Sequence, residues 1–206
     1  MADRPTAGVA DRRELVRAHL AIVLAAISFG STFIPVQDAV RHAGPVPFLG
    51  VRFLTGTVLL GGFLAHSGGW SRLGNPRVLK GGLMAGLPLL AGYLLQTFGL
   101  RYTSTPVSAF ITYSLVVFVP LLGAIWTRRL PPGRVILGVV LATAGLFMLT
   151  GAHMHLGLGE LLTLGCAVTF AVNILEIDRA VGASPEFHDV IALAVVQLTP
   201  ILHAAT

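Results

Sequence analysis

Charged residues are scarce in this 206-residue chain, where they make up 11% of the total against 54% hydrophobic residues. Soluble domains carry about 25% charged residues, so this chain has too little polar surface to cover a water-soluble fold of its size. Cysteine is rarer still, because Cys166 is the sole example and stands inside an apolar run. A single thiol excludes an internal disulfide, and the neighbouring sequence offers no metal-ligand spacing.

Long polar linkers and low-complexity segments are also missing from the sequence. Seven apolar segments follow one another instead, joined by short turns rich in glycine and proline. Each is close to the ~20 residues that cross a bilayer as an α-helix, and membrane helices tolerate internal glycine and proline. We therefore predict an all-α polytopic membrane protein with about seven transmembrane helices, at residues 20–38, 46–66, 79–100, 104–126, 134–151, 157–177 and 189–205.

The basic residues predict the orientation of these helices. If the N-terminus is cytoplasmic, all the Lys and Arg residues except Arg41, Arg52 and Arg101 fall on the cytoplasmic side. Residues 1–19 then form a cytoplasmic tail. The basic residues stand in small groups between apolar runs, which does not favour a nucleic-acid partner. Abundant Ala, Gly and Arg with one lysine suggest a bacterium with GC-rich DNA, so we expect the plasma (inner) membrane.

Two stretches of the chain resemble each other at an offset of 141 residues. Leu24–Val40 reads LAAISFGSTFIPVQDAV, and Gly165–Val181 reads GCAVTFAVNILEIDRAV. The match makes the sixth segment a second copy of the first, so the repeating unit has five helices. An odd number of helices places the two copies in opposite orientations, an arrangement typical of transporters. We predict one complete repeat at 20–151 and the first two helices of a second, apparently truncated repeat at 157–206.

Several motifs carry a resemblance to a known family. They are AAISFGSTFIP in the first segment, FLGVRF at the start of the second, and residues 94–149, which include GLRYTS and a glycine-rich fifth helix. The sequence resembles the EamA-like branch of the drug/metabolite transporter (DMT) superfamily, whose members usually have ten helices in two EamA repeats. One departure is Thr127-Arg128-Arg129-Leu130, at a turn where the family usually carries an acidic residue.

Polar side chains inside the third and fourth segments are candidates for a substrate pathway. Gln96 needs a polar partner in hydrocarbon, and Tyr93 precedes it by one turn. The resemblance places this helix beside the pathway, but an interhelical hydrogen bond would explain Gln96 equally well. Ser108 and Thr112 lie deeper than helix capping requires. They either line a polar path or allow close contact between helices.

Three further candidates lie nearer the helix ends. Arg52 could attract an anionic substrate group, or it could extend to the headgroups or pair with Asp38. Glu176 is a candidate proton-coupling acid, with an ion pair to Arg179 as the structural alternative. Asn173 lies one turn further into the membrane and could join either role. We expect no catalytic residues, no cofactor and no metal site.

The leading functional hypothesis is a secondary transporter that exports small metabolites or drugs by alternating access. Its partners would be the lipid bilayer and a small-molecule substrate. The alternative is a truncated or non-transporting membrane subunit, which would need a homodimer or a second half-transporter. An intramembrane enzyme is disfavoured, because no serine stands in a Gly-x-Ser-x-Gly setting and no His-Glu-x-x-His motif occurs.

Overall fold

The structure is a computed structural model, and it describes residues 12–150, 157–182 and 186–205. Helices account for nearly all of these residues, and a short 3₁₀ helix at Trp70–Gly74 joins two of them. The α-helices of the described ranges are α1 (Arg12–Ser31), α2 (Phe33–Ala43), α3 (Pro45–His66), α4 (Pro76–Gly99), α5 (Thr105–Tyr113), α6 (Leu115–Thr127), α7 (Gly133–Thr150), α8 (Leu158–Val181) and α9 (Phe187–Ala205).

The seven predicted segments coincide with these helices, which confirms the prediction of an all-α polytopic membrane protein. Within the described ranges, six spans are long and apolar enough to cross a membrane, and α7 contributes a shorter apolar helix at Gly133–Gly145. The first helix begins at Arg12, so residues 12–19 of the predicted tail are helical. Residues 1–11 of that tail lie outside the described residues, as do residue 151 at the predicted end of the first repeat and residue 206 at the predicted end of the second.

Two of the predicted spans are each divided into two helices. The first breaks at Thr32, between α1 and α2, and the fourth breaks at Ser114, between α5 and α6. At each break a hydroxyl donates to a carbonyl three residues earlier, from Thr32 to Phe29 over 2.7 Å and from Ser114 to Ile111 over 2.6 Å. Such side-chain bonds compete with the helical ladder and bend helices. A proline follows each break within two turns, at Pro35 and Pro120.

Helix α4 lies at the centre of the bundle, where it packs against α8 and α9. Its glycines make this close approach possible. A Cβ at Gly92 would lie 2.3 Å from the ring of Phe170 on α8, and one at Gly82 would lie 2.6 Å from Val196 on α9. Small residues at helix contacts are the usual means by which membrane helices approach each other. Two more glycines of α4 make contacts of the same kind, Gly86 with α9 and Gly99 with α8.

Polar contacts join the loops at one end of the bundle. Arg72 of the 3₁₀ helix forms ion pairs with Glu186 at 2.5 Å and Asp189 at 3.3 Å. Arg179 near the end of α8 lies over the ring of Trp126 near the end of α6, with 3.7 Å between the guanidinium carbon and the ring centre. We call this end, which carries the α3–α4, α6–α7 and α8–α9 connections, the basic end.

The opposite end is joined by a different set of polar contacts, centred on the turn between α4 and α5. Gln37 of α2 donates to the carbonyl of Thr103 over 3.2 Å and accepts a hydrogen bond from Thr105. Thr103 in turn donates to Glu160 in the first turn of α8 over 2.5 Å. These bonds tie α2, the α4–α5 turn and α8 together, so they set where α5 enters the membrane region.

Gly→Ala substitutions at a packed glycine of α4 and at an open glycine of α7 should have different effects on stability. Gly82→Ala should destabilise the protein by about 1–3 kcal/mol, because the new methyl group overlaps Val196. Gly138→Ala on α7 meets nothing within 4 Å, so its better helix propensity should leave stability unchanged or raise it by up to about 1 kcal/mol. Thermal unfolding in detergent measures both variants. Equal effects of the two substitutions would contradict the packing described for α4.

Candidate functional site

Three of the predicted site residues form one buried polar cluster between α4 and α5. Gln96 is 4% exposed, and its amide nitrogen donates to the hydroxyl of Thr112 over 3.2 Å. Ser108 lies one turn before Thr112 on the same face of α5, and both side chains are fully buried. The thiol of Cys166 on α8 lies beside the Thr112 side chain. We call Gln96, Ser108, Thr112 and Cys166 the α4–α5–α8 polar cluster.

The hydroxyl of Ser108 stands apart from the others in this cluster. It has no hydrogen-bond partner among the residues that the structure describes, although its oxygen is inaccessible to solvent. A buried hydroxyl without a partner costs free energy, and such groups call for an explanation. The polar cluster therefore has spare hydrogen-bonding capacity that a bound polar molecule or water could use.

Aromatic rings adjoin this polar cluster along α4. Tyr93 makes edge-to-face contacts with Phe53 on α3 and Phe170 on α8, with ring centres 4.7 Å and 5.0 Å apart. The half-buried Arg52 lies against the same ring, with its guanidinium carbon 5.2 Å from the ring centre. At this distance a cation is attracted to the face of the ring. Arg52 thus contacts Tyr93, whereas Asp38, its alternative partner, is 3.6 Å from His42.

Asn173 belongs to a separate polar contact on the other half of α4. Its amide nitrogen donates to the carbonyl of Ala85 over 2.8 Å, and it lies 3.4 Å from the amide oxygen of Gln197 on α9. Ala85 and Gln96 are eleven residues apart on α4, which corresponds to roughly 16 Å along the helix axis. The structure therefore does not bring Asn173 to the polar cluster, and its contacts join α4, α8 and α9.

Glu176 lies near the basic end, three residues after Asn173. Its carboxylate is 3.2 Å from the guanidinium of Arg179, one turn further along α8. The side chain of Glu176 is 19% exposed, which leaves it some access to solvent. Its position is distant from the polar cluster, because Cys166 precedes it on α8 by almost three turns, or roughly 15 Å.

The two helix breaks lie close to the α4–α5–α8 polar cluster. The sequence did not predict that they contact each other. Phe29, just before the break in the first span, contacts Tyr113, just before the break in the fourth span, with ring centres 6.2 Å apart. The Tyr113 hydroxyl also approaches Gly30. Tyr113 follows Thr112 directly, so the breaks adjoin the polar cluster. In both segments a hydroxyl residue stands a few positions before a proline, and this pattern in the sequence could have predicted the breaks.

Sequence reasoning also missed Gln37, a half-buried amide whose contacts hold the α4–α5 turn. Its signal was the same as that of Gln96, a single amide inside an apolar run.

No group of three or more His, Cys, Asp or Glu side chains within the described ranges could hold a metal ion.

These features define the class of the molecule, a multi-pass α-helical membrane protein with polar side chains buried between its helices. The chain belongs to the EamA-like transporter family, because the sequence model of that family matches residues 16–151, more than half of the chain. This confirms the resemblance to the EamA-like branch of the drug/metabolite transporter superfamily.

A relative with a known sequence supports the same assignment. An uncharacterized transporter of Archaeoglobus fulgidus is 32% identical over 172 residues, which cover 84% of this chain and 52% of that protein. The chain thus spans about half the length of the curated relative that it matches. No solved structure gives a significant match to the chain.

The polar cluster predicts a measurable coupling between Gln96 and Thr112. In a double-mutant cycle with Gln96→Met and Thr112→Val, we expect a coupling free energy of about 1 kcal/mol, the usual size for interhelical hydrogen bonds in membranes. Thermal or denaturant unfolding in detergent supplies the four stabilities. The control cycle pairs Gln96→Met with Thr97→Val, because the Thr97 hydroxyl bonds the carbonyl of Tyr93 in its own helix. Equal coupling in both cycles would argue against the Gln96–Thr112 bond.

Proposed function

We propose that this chain acts in a secondary transporter that exports small metabolites or drugs by alternating access. Membership of the EamA-like transporter family supports the class of activity. We place the chain in the plasma membrane of a bacterium with its N-terminus in the cytoplasm, because this orientation puts the basic end on the cytoplasmic side. The chain supplies one repeat and the start of an inverted second repeat.

The α4–α5–α8 polar cluster is the observation that carries this proposal. Polar side chains inside a membrane protein are costly and usually mark a pathway or a binding site. Gln96 and Thr112 are paired, but the Ser108 hydroxyl has no described partner, so the polar cluster can accept or donate further hydrogen bonds. We assign Gln96, Ser108 and Thr112 to direct contact with the polar part of a substrate.

The helix breaks at Thr32 and Ser114 give this proposal independent support. Discontinuous helices at the midplane form the substrate sites of many secondary transporters, because their ends expose backbone polar groups. Here the break at Ser114 lies near the middle of its span, and the break at Thr32 lies in the second half of its span. The contact of Phe29 with Tyr113 brings the two breaks together. The two breaks also supply places where the bundle can bend during the alternation between open states.

Tyr93 and Arg52 extend the proposed site along α4 by one turn from Gln96, away from the α4–α5 turn. The rings of Tyr93, Phe53 and Phe170, in edge-to-face contact, offer an apolar wall, and Arg52 offers a positive charge beside it. This pairing suits amphiphilic substrates with an aromatic or an anionic part. In this proposal Asn173 is a positioning residue, because its contacts hold α4 against α8 and α9.

Glu176 is the proposed coupling acid, in keeping with its position near the basic end. Its carboxylate pairs with Arg179, and the same guanidinium lies over the ring of Trp126, so Glu176 is linked to the contacts of α8 with α6.

The alternative, a subunit that needs a second half, is favoured by one observation. The chain matches 52% of its archaeal relative, and in this alternative a second copy or another half-transporter completes the bundle. The two proposals differ in whether the 206-residue chain transports by itself.

A compound-accumulation assay tests both proposals. Cells that express the chain should accumulate less of at least one toxic or fluorescent compound than vector controls. Gln96→Leu should remove most of this difference, because it deletes the amide of the polar cluster without adding volume. Thr55→Val is the matched control, since the exposed Thr55 hydroxyl bonds the carbonyl of Val51 in its own helix.

The outcomes separate the hypotheses when expression in the membrane is equal. Loss with Gln96→Leu and retention with Thr55→Val supports a substrate role for the polar cluster. Retained export in the Gln96→Leu variant would contradict that role. Wild-type cells that match the vector across a broad compound panel would contradict transport by the chain alone and favour the subunit alternative.

A further inference from the structure

A cavity of about 290 Å³ opens between α4 and α8 at the basic end, away from the polar cluster. Its walls come from two helices and mix charged side chains with small or flexible apolar ones. The lining residues are Arg77, Lys80, Gly81, Met84, Glu176, Arg179 and Ala180. Gly81 and Ala180 form the narrow side of the cavity. They approach so closely that a Cβ built at Gly81 would lie 2.5 Å from the methyl group of Ala180.

Positive charge exceeds negative charge around this cavity. Three cations face one carboxylate, and that carboxylate, Glu176, already pairs with Arg179. Among the residues that the structure describes, neither Arg77 nor Lys80 lies within ion-pair distance of an acid. The acids of the nearby α8–α9 connection, Glu186 and Asp189, bind Arg72 instead. Arg77 also borders a second pocket lined by Glu186 and Asp189, but it forms no ion pair with either acid. The cavity therefore offers two cations, Arg77 and Lys80, that are not paired with a described carboxylate.

The residues that follow these cations on the same face of α4 are apolar. Arg77, Lys80, Met84 and Leu87 are spaced three to four residues apart, so they form one stripe along α4. The charged members stand in the first two turns of the helix, and the deeper members, Met84 and Leu87, are 47% and 57% exposed. A ligand that fits this stripe has an anionic head at the helix end and an apolar tail directed into the membrane.

Trp126 marks the level of this stripe in the bilayer. It lies near the end of α6 beside Arg179, and tryptophan is enriched where membrane helices meet the headgroup layer. The cations of the cavity therefore lie at headgroup depth. Basic pockets between membrane helices on the cytoplasmic side are suited to anionic lipid headgroups.

We propose that this cavity binds the phosphate group of an anionic phospholipid, with an acyl chain along Met84 and Leu87. Arginine can donate two parallel hydrogen bonds to phosphate oxygens, and lysine adds a mobile point charge. A free phosphate ion matches the head of the site equally well, but it leaves the exposed apolar stripe without an occupant. The apolar stripe is the reason for choosing the lipid.

Native mass spectrometry of the detergent-purified chain tests this proposal. Phosphatidylglycerol should bind, and phosphatidylcholine should bind several-fold more weakly. The double variant Arg77→Gln/Lys80→Gln should bind phosphatidylglycerol about tenfold more weakly, since each basic group near an anionic surface contributes roughly fivefold and exposure screens part of it. Soluble glycerol 1-phosphate at millimolar concentration should not displace the lipid.

The matched control is Arg128→Gln/Arg129→Gln, which removes the same charge from the basic end without touching the cavity lining. An equal loss of phosphatidylglycerol in this control would overturn the proposal in favour of diffuse attraction. Displacement by glycerol 1-phosphate would identify a soluble phosphate ligand, and equal binding of phosphatidylcholine would remove the role of charge. Lys80→Gln alone, at an exposed position, should weaken binding about threefold if the double variant is unstable.

Discussion

The close packing of α4 against α8 and α9 is the constraint on which the rest of the structure depends. Hydrocarbon gives membrane helices no hydrophobic reason to associate, so contact must come from dispersion forces and hydrogen bonds at short range. Glycines allow this short range here, because the helices approach so closely at Gly82, Gly92 and Gly99 that a Cβ would not fit. The opening at Gly92 admits the ring of Phe170, which in turn contacts Tyr93.

This packing decides where polar side chains can be kept. Gln96 faces α5 because the neighbouring faces of α4 are taken by α8 and α9, and its amide finds Thr112 there. Without water, an amide in this position must be paired or solvated by a ligand. The unmatched Ser108 hydroxyl and the two adjoining helix breaks leave the α4–α5–α8 polar cluster with hydrogen-bonding capacity that its own side chains do not use.

The membrane class and the positions of the helices follow from composition and hydropathy alone, because twenty apolar residues in sequence have one stable form in a bilayer. An interhelical hydrogen bond of the kind that joins Gln96 and Thr112 could be predicted from the sequence, since both residues are polar and lie deep in adjacent segments. The position of Asn173 in a different region from Gln96 could not be predicted, because it depends on which faces of α4, α8 and α9 meet.

The helix breaks illustrate the same limit. Hydroxyls and prolines in the first and fourth segments indicate that bending is possible, but they do not say at which residue the ladder opens. Nor do they predict that Phe29 and Tyr113 will touch. Long-range contacts of this kind depend on the rotation of each helix about its axis, and a uniform apolar surface carries little information about that rotation.

Cysteine accessibility in native membranes tests the central claim most directly. In a Cys166→Ala background, Ser108→Cys should react with a small, charged thiol reagent, because the proposed alternating access opens the polar cluster to water. Ala192→Cys, at a fully buried position in the apolar packing of α9, should remain unreactive until the protein is denatured. If Ser108→Cys is as protected as Ala192→Cys, the polar cluster is closed packing between helices and the account is contradicted.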